Sequence, residues 1–485
     1  MLVGAARVDI SPWLPADLLG YVRRAHAARE IARPLYVTAC LLRDETSTVV
    51  VAAADVVGLS SEFADRARRS IAEAVSCRPE DVLLNSSHSH AAPWPGALWK
   101  LGGEFDEWTA AERAYEEWLP SAYASAAVMA AERAVTARVS GGVGRVSGLA
   151  VNRRERTPDG HTILGWNPDG FVDEEVPVLR LDAPDGSPVA TMVGFGCHPV
   201  VVGPDVAKAG PDFVGPLRDR VEALRGGTCL FLQGAAGNVL PLEAFLDHEG
   251  PEVAFGHRLA LEALHAVADR DPRATVVQKL DYGSVTPISL YRRQLSVDQP
   301  HQPLQAVSRR VRLPLLPPPG IEELERELAE RRAELAARRA RGEGRATTNP
   351  VAYHVHWLEH TLDGAREGAL PTEVEGEMWA ARIGDCAIVG APGEIFSEIG
   401  YAVRTASPAA VTIFAGYSQG VLGYVATPEE HAHGGYEPAV SHRGYGPPAP
   451  FAPETAGIIR TTSLDLLAGL FESTGCPPRA RGFGR

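Results

Sequence analysis

Apolar runs rich in β-branched residues alternate with helix-like segments through the first half of the chain. Strand-like runs over 47–59 and 80–86 enclose a helix-like segment over 62–76, and a long Ala-rich helical segment follows over 110–138. Such alternation predicts βαβ units, in which the strand ends carry the chemistry. We therefore expect an α/β fold made of mixed sheets with flanking helices.

The second quarter of the chain adds an antiparallel element to this pattern. Two apolar runs, 177–183 and 188–202, flank the turn sequence Pro-Asp-Gly-Ser at 184–187, which predicts paired strands. A helix near 213–225 and a strand from 228 are expected next. The sequence shows no internal repeat.

The second half contains a segment of different composition. Residues 321–345 are rich in Ala, Glu and Arg at helical spacing and end near Gly342 and Gly344. We interpret 317–345 as a helical insertion in a catalytic domain that spans 1–456, with 457–485 as a C-terminal segment. A second helix is expected over 351–367, and a Pro-, Gly-, His- and Tyr-rich loop over 427–456 is expected to be functional.

Charge and composition exclude several classes of partner. A net charge of −14 argues against binding of nucleic acid or of an anionic membrane. The sequence begins directly with a strand-like segment, without the features of an export signal, so we expect a cytoplasmic protein. The six cysteines are scattered and form no CxxC pair, which argues against a disulfide framework or a thiolate metal site.

Histidines follow two of the predicted strands. The segment Asn85-Ser-Ser-His88-Ser-His90 comes directly after an apolar run, and His198 follows another. In an extended backbone, residues two apart point to the same side, so the rings of His88 and His90 are expected to face one cavity. Imidazole is a favoured zinc ligand, and the pattern therefore predicts a metal site.

Six short motifs, in order, resemble the neutral/alkaline non-lysosomal ceramidase family over about residues 1–445. They are NSSHSHAAPWPG, VNRRE, GFGCHPVVVG, FLQGAAGNVLPL, GAPGEIFSEIG and GYVATPEEHAHGGYE. The last is the most specific, because Tyr424 and Tyr436 keep the separation that the family has, with two glutamates between them.

The resemblance implies a zinc ion held by four residues, with water completing the coordination shell. The implied ligands are His88, His198, Glu394 and Tyr424. The resemblance implies catalytic roles for His90, Arg153 and Tyr436, although the adjacent Arg154 is an alternative to Arg153. It further implies cleavage of a linear N-acyl amide by metal-activated water. From the sequence, Glu394 is expected to open a helix after Pro392-Gly393, where it would also favour the helix dipole.

One departure from the family bears on the substrate. Where the family has a serine, this chain has Leu240, so a serine nucleophile at that position is excluded. The chain also stops soon after the shared motifs. We therefore expect a small or polar amide substrate rather than ceramide. The same motifs are compatible with acyl transfer or condensation, and the acyl group and the amine are left open.

Two other interpretations remain open on the sequence. His356, Glu359 and His360 match the HxxEH pattern of inverted zinc peptidases, whose two histidines bind zinc from one helical turn. Alternatively, the chain is a non-catalytic binding protein that keeps the ceramidase fold. A homo-oligomer is also left open, with the helical insertion as the expected contact.

Overall fold

The computed structural model describes residues 1–98, 107–280, 288–296 and 299–472. Its strands in chain order are β1 (Leu2–Asp9), β2 (Glu30–Ile31), β3 (Tyr36–Arg43), β4 (Thr48–Ala54), β5 (Val82–Ser86), β6 (Val135–Thr136), β7 (Arg138–Arg145), β8 (Ala150–Arg156), β9 (Thr162–Asn167), β10 (Glu175–Asp182), β11 (Pro188–Phe195), β12 (Lys208–Ala209), β13 (Thr228–Gln233), β14 (Val239–Pro241), β15 (Thr275–Leu280), β16 (Leu290–Leu295), β17 (Leu304–Pro314), β18 (Glu373–Ile383), β19 (Cys386–Gly390), β20 (Glu394–Ile395), β21 (Val411–Ala415) and β22 (Tyr424–Val425).

The helices are α1 (Ser61–Val75), α2 (Ala110–Glu132), α3 (Val214–Arg225), α4 (Pro251–Val267), α5 (Ile321–Ala340), α6 (Arg345–Arg366), α7 (Ser397–Ala406), α8 (Pro428–Ala432) and α9 (Thr455–Glu472). Local sequence sets several of their ends. Ser60 caps α1 by accepting from the Phe63 N–H at 3.1 Å, and Thr109 and Glu112 form a capping box at the start of α2. No helix in the described part of the chain is both long enough and apolar enough to cross a lipid bilayer.

Three large sheets share one topology. Their strand orders are β5-β4-β3-β1-β6, β13-β11-β10-β7 and β21-β19-β18-β17. In each sheet three neighbouring strands pair antiparallel: β1, β3 and β4 in the first, β7, β10 and β11 in the second, and β17, β18 and β19 in the third. A helix then connects the last of these strands to a parallel neighbour, which is β5, β13 or β21. A second helix, α2, α4 or α9, packs on the first two strands of its sheet. The structure therefore contains a threefold repeat of topology, although the sequence shows no internal repeat.

The three sheets pack around a common core. Residues from all of them meet there, including Leu83, Met192, Leu230, Trp379 and Ile413. The opposite face of each sheet is covered by its own helix pair, which forms a separate apolar cluster. The α/β architecture with mixed sheets and flanking helices is confirmed. In this arrangement the carboxyl ends of the three parallel strand pairs, β4/β5, β11/β13 and β19/β21, face one another.

The predicted local elements are found in this architecture. Strands β10 and β11 pair antiparallel around the turn that contains Gly186, as expected. Helices α5 and α6 form a hairpin joined by an apolar seam that includes Leu328, Leu335, Trp357 and Leu358. The cysteines in the described residues are free thiols.

Candidate metal centre

The two predicted strand-end histidines lie at the carboxyl ends of different sheets. His88 is two residues beyond β5, and His198 is three residues beyond β11. Their exposed fractions are 2% and 1%. Ring nitrogens of His88, His90 and His198 all lie within 4.8 Å of one another, so the three side chains form a group that is able to hold a metal ion.

The backbone at His88 differs from the extended conformation that we expected. Its φ is 66°, in the left-handed region, and its N–H donates to the Val56 carbonyl at 2.9 Å. The argument from an extended strand is therefore wrong, because the chain has already left β5 and turned. The turn still brings Nε2 of His88 and Nε2 of His90 to 3.1 Å from each other.

Backbone carbonyls fix the orientation of both histidine rings. Nδ1 of His88 lies 2.6 Å from the Val57 carbonyl oxygen, and Nδ1 of His198 lies 2.8 Å from the Ala236 carbonyl oxygen. Because a carbonyl only accepts, each Nδ1 carries the proton and each Nε2 keeps its lone pair. Histidines that bind metals are held in this way.

Glu394 reaches the same centre by strand pairing. It does not open a helix, as we expected, because it lies in the short strand β20 and α7 begins only at Ser397. Strand β20 pairs in parallel with β22, and Glu394 is directly opposite Tyr424. This pairing brings together two implied ligands that are far apart in sequence.

Three distances between atoms of the four implied ligands are close to those in a tetrahedral zinc shell. Glu394 Oε2 lies 3.4 Å from Nε2 of His88 and 3.1 Å from Nε2 of His198. The Tyr424 hydroxyl lies 3.5 Å from Nε2 of His198. Ligand atoms about 2.0–2.1 Å from one zinc ion are separated by about 3.3 Å in tetrahedral geometry. The donor types and their spacing therefore fit zinc.

The protonation of the group also favours a cation between the side chains. Burial lowers the pKa of His88 to about 4 and also lowers the pKa of His198. Burial by itself raises the pKa of Glu394, but His88, His198 and Arg153 outweigh it and hold this pKa well below its usual range. Neutral imidazoles thus direct lone pairs at an ionised carboxylate, an arrangement that a bound cation stabilises.

Of the two neighbouring arginines, Arg153 is the one that reaches the centre. Its Nη1 lies 3.2 Å from Nε2 of His198, and its Nε donates to Glu437 at 2.7 Å. Arg154 instead donates to Glu430 at 2.8 Å and to Glu437 at 2.6 Å. Arg153 is therefore placed to act on a bound molecule, whereas Arg154 holds the loop that follows β22.

Tyr436 lies at the edge of the centre. Its ring is 5.7 Å from the ring of Tyr424, and 37% of the residue is exposed. It is therefore positioned to contact a molecule that enters from solvent.

Two tyrosines that the sequence analysis missed hold the carboxylate of Glu394. The Tyr417 hydroxyl donates to Oε2 at 3.2 Å, and the Tyr445 hydroxyl donates to Oε1. Tyr417 follows β21 by two residues, as His88 follows β5, and this position at a strand end was a usable signal. Tyr445 lies in the loop over 427–456 that was expected to be functional, but no spacing in the sequence singles it out.

We expect Tyr445→Phe to weaken zinc binding about 10- to 100-fold, because residues that orient a ligand contribute on this scale. Competition with a chromophoric chelator measures the affinity. Tyr291→Phe is the matched control, since Tyr291 is 64% exposed on β16. Equal affinities for the Tyr445 variant and the unchanged protein would contradict the assigned role.

The HxxEH residues do not form a metal group in the structure. His356 and His360 are exposed on α6, and Glu359 accepts from Arg332 at 2.7 Å. Among the described residues, the only group of three or more His, Cys, Asp or Glu side chains close enough to share a metal ion is the one around His88. The pattern is better explained as a solvent-facing helix surface with an ion pair.

Comparison with known proteins gives a fold but no sequence relative. No protein-family model matches the sequence, and no curated protein matches it. Among solved structures, a ceramidase complexed with C2 aligns with a TM-score of 0.67 and 15% identity, over 100% of this chain and 77% of that chain. The neutral ceramidase from Pseudomonas aeruginosa aligns with a TM-score of 0.66 and 18% identity, over 99% and 76%. This chain has the ceramidase fold.

Leu240, which stands where the ceramidase family has a serine, is buried among other side chains. Leu240 lies in β14 opposite Val151, is 3% exposed, and packs with Tyr21 and Val200. It offers no nucleophile.

Proposed function

We propose that the chain is a zinc-dependent amidohydrolase that cleaves a linear N-acyl amide. One observation carries the proposal. Nε2 of His88 and Nε2 of His198, each fixed by a backbone carbonyl, converge on the carboxylate of Glu394 beside the Tyr424 hydroxyl. The ceramidase fold supports the reaction class, because its two solved examples above are ceramidases.

A donor without a partner lies beside the proposed metal position. Nη2 of Arg153 is buried and has no hydrogen-bond partner, and Nη1 of the same guanidinium lies 3.2 Å from Nε2 of His198. A zinc ion at this centre supplies Lewis acidity, which lowers the pKa of water and polarises a carbonyl group. In the proposed reaction the guanidinium of Arg153 stabilises negative charge that develops on the carbonyl oxygen. His90 is the proposed group that passes a proton to the leaving nitrogen.

The proposed substrate is a small or polar amide rather than ceramide. Leu240 removes the hydroxyl that the family places near the substrate, and polar or aromatic side chains surround the centre, among them His90, Arg153 and Tyr436. Acyl transfer to a second amine would use the same side chains. The product analysis described next detects it.

We expect hydrolysis of simple N-acyl amides that stops when zinc is removed with a chelator and returns when zinc is added. Release of free amine measures the reaction, and mass spectrometry of the products separates hydrolysis from acyl transfer. Hydrolysis that is unaffected by zinc removal would contradict the proposal. Zinc binding without turnover of any amide would favour the non-catalytic binding protein.

A further inference from the structure

Helix α6 lies across the proposed active site with one face. Asn349, Tyr353 and Trp357 are spaced four residues apart and therefore share that face. The Asn349 side chain donates to the Arg24 carbonyl at 3.3 Å, and Arg24 in turn donates from Nη2 to the His90 carbonyl at 3.2 Å. The first part of α6 is thus tied to the backbone that carries His90.

The other end of this face is fixed to the loop that carries Tyr436 and Tyr445. Nε1 of Trp357 donates to the Pro447 carbonyl at 2.9 Å, and the Trp357 ring lies 5.2 Å from the ring of His442. Arg443 lies over the Trp357 ring at 4.5 Å, and it also pairs with Glu327 of α5 at 2.7 Å. Helix α6 is therefore connected both to the segment that carries His90 and to the loop that carries Tyr436 and Tyr445.

Tyr353 lies between these two anchors in α6, against Gly444, which directly precedes Tyr445. A Cβ atom on Gly444 would lie only 2.5 Å from the Tyr353 hydroxyl, so the phenol packs directly against the Gly444 backbone. Burial raises the pKa of Tyr353 well above its usual value, and the neighbouring Tyr436 adds to this increase. Tyr353 thus packs against the residue next to Tyr445, whose hydroxyl donates to Glu394.

We propose that α6 forms one wall of the substrate site and that Tyr353 is its specificity-determining residue, which excludes long aliphatic acyl chains. This inference rests on the proposed amidohydrolase function. The phenols of Tyr353 and Tyr436 are the hydrogen-bonding groups proposed for this wall, so a short or polar group keeps them satisfied and a long alkyl chain leaves them without hydrogen bonds. In this proposal the bulk of the Tyr353 ring limits the length of the acyl chain, and phenylalanine at this position keeps that bulk.

The test compares kcat/KM over an N-acyl series from acetyl to dodecanoyl for the unchanged protein and its variants Tyr353→Ala, Tyr353→Phe and His356→Ala. We expect Tyr353→Ala to raise the dodecanoyl-to-acetyl ratio about tenfold or more. Tyr353→Phe keeps the ring and should keep most of the discrimination. His356→Ala changes the exposed face of the same helix and should leave the ratio unchanged. Zinc content, measured on each variant, should be equal.

Dissociation constants for the matching acyl hydroxamates separate failure of the wall from failure of the proposed reaction. If no amide is hydrolysed but Tyr353→Ala still shifts the hydroxamate series toward long chains, the proposed reaction is wrong and the wall stands. A ratio unchanged by Tyr353→Ala in both assays, or no binding of any hydroxamate, would overturn the inference.

Discussion

Replacement of His198 by alanine is expected to lower zinc affinity by at least about 100-fold and to abolish amide hydrolysis. Loss of a ligand should exceed the 10- to 100-fold effect of losing an orienting group. His198 is the residue on which the other groups converge, since Glu394, Tyr424 and Arg153 all lie within 3.5 Å of its Nε2. Zinc affinity by chelator competition and amine release in excess zinc are the two measurements.

The matched control for this experiment is His354→Ala. His354 is half-buried on α6 and is not part of the group of histidines that shares the proposed metal position. We expect it to keep zinc affinity. Retention of full zinc affinity by the His198 variant would show that the metal, if it binds, is held elsewhere.

Replacement of Arg218 by methionine is expected to cost about 3–5 kcal/mol of folding stability. Arg218 on α3 donates through two nitrogens to Asp55, at 2.9 Å and 2.7 Å, and the side chains are 5% and 1% exposed. Asp55 also accepts from the Tyr36 N–H at 2.9 Å. Without Arg218, the buried carboxylate of Asp55 loses the only ion-pair partner that it has in the described part of the chain. Such a loss lowers folding stability far more than the loss of a surface ion pair does. The midpoint of denaturant unfolding measures the effect.

An exposed ion pair that also involves a residue of α3 provides the control. Arg33 and Asp219 lie 2.8 Å apart and are 40% and 57% exposed, so Arg33→Ala should cost about 0–1 kcal/mol. The double replacement Asp55→Leu with Arg218→Met should recover part of the loss, because neither charge is then left buried. Equal unfolding midpoints for the Arg218 and Arg33 variants would contradict the account of this pair.

The strand ends that carry His88 and His198 could be predicted from the sequence. Apolar runs that end in a polar cluster have a local signature, and both histidines lie directly after such runs. The conformation beyond the strand could not be predicted in the same way. His88 has a positive φ because contacts with Val56 and Val57, from a different segment, fix the turn.

The position of Glu394 shows where local reasoning fails. Its neighbours favour the start of a helix, but pairing with Tyr424 across β20 and β22 overrides that preference. Tyr445 escaped prediction for the same reason. Its role depends on a carboxylate brought to it by tertiary structure, and a single sequence does not reveal such a contact.

The threefold repeat explains why the centre forms where it does. The first unit supplies His88, the second supplies His198, and the third supplies Glu394 and Tyr417, each just beyond a strand of the parallel pair. His88 and Tyr417 occupy equivalent positions two residues beyond β5 and β21, and both have positive φ, at 66° and 51°. The side chains at the equivalent positions differ, so the strand order shows this relation and the sequence does not.

Zinc stoichiometry by elemental analysis tests the central claim most directly, measured on the unchanged protein, on His88→Ala and on His356→Ala. We predict about one zinc ion per chain in the unchanged protein and in His356→Ala, and a loss of zinc in His88→Ala, as expected for a single site with an open position. Zinc retained in His88→Ala but lost in His356→Ala, or no zinc in any of the three proteins, would contradict the proposed centre.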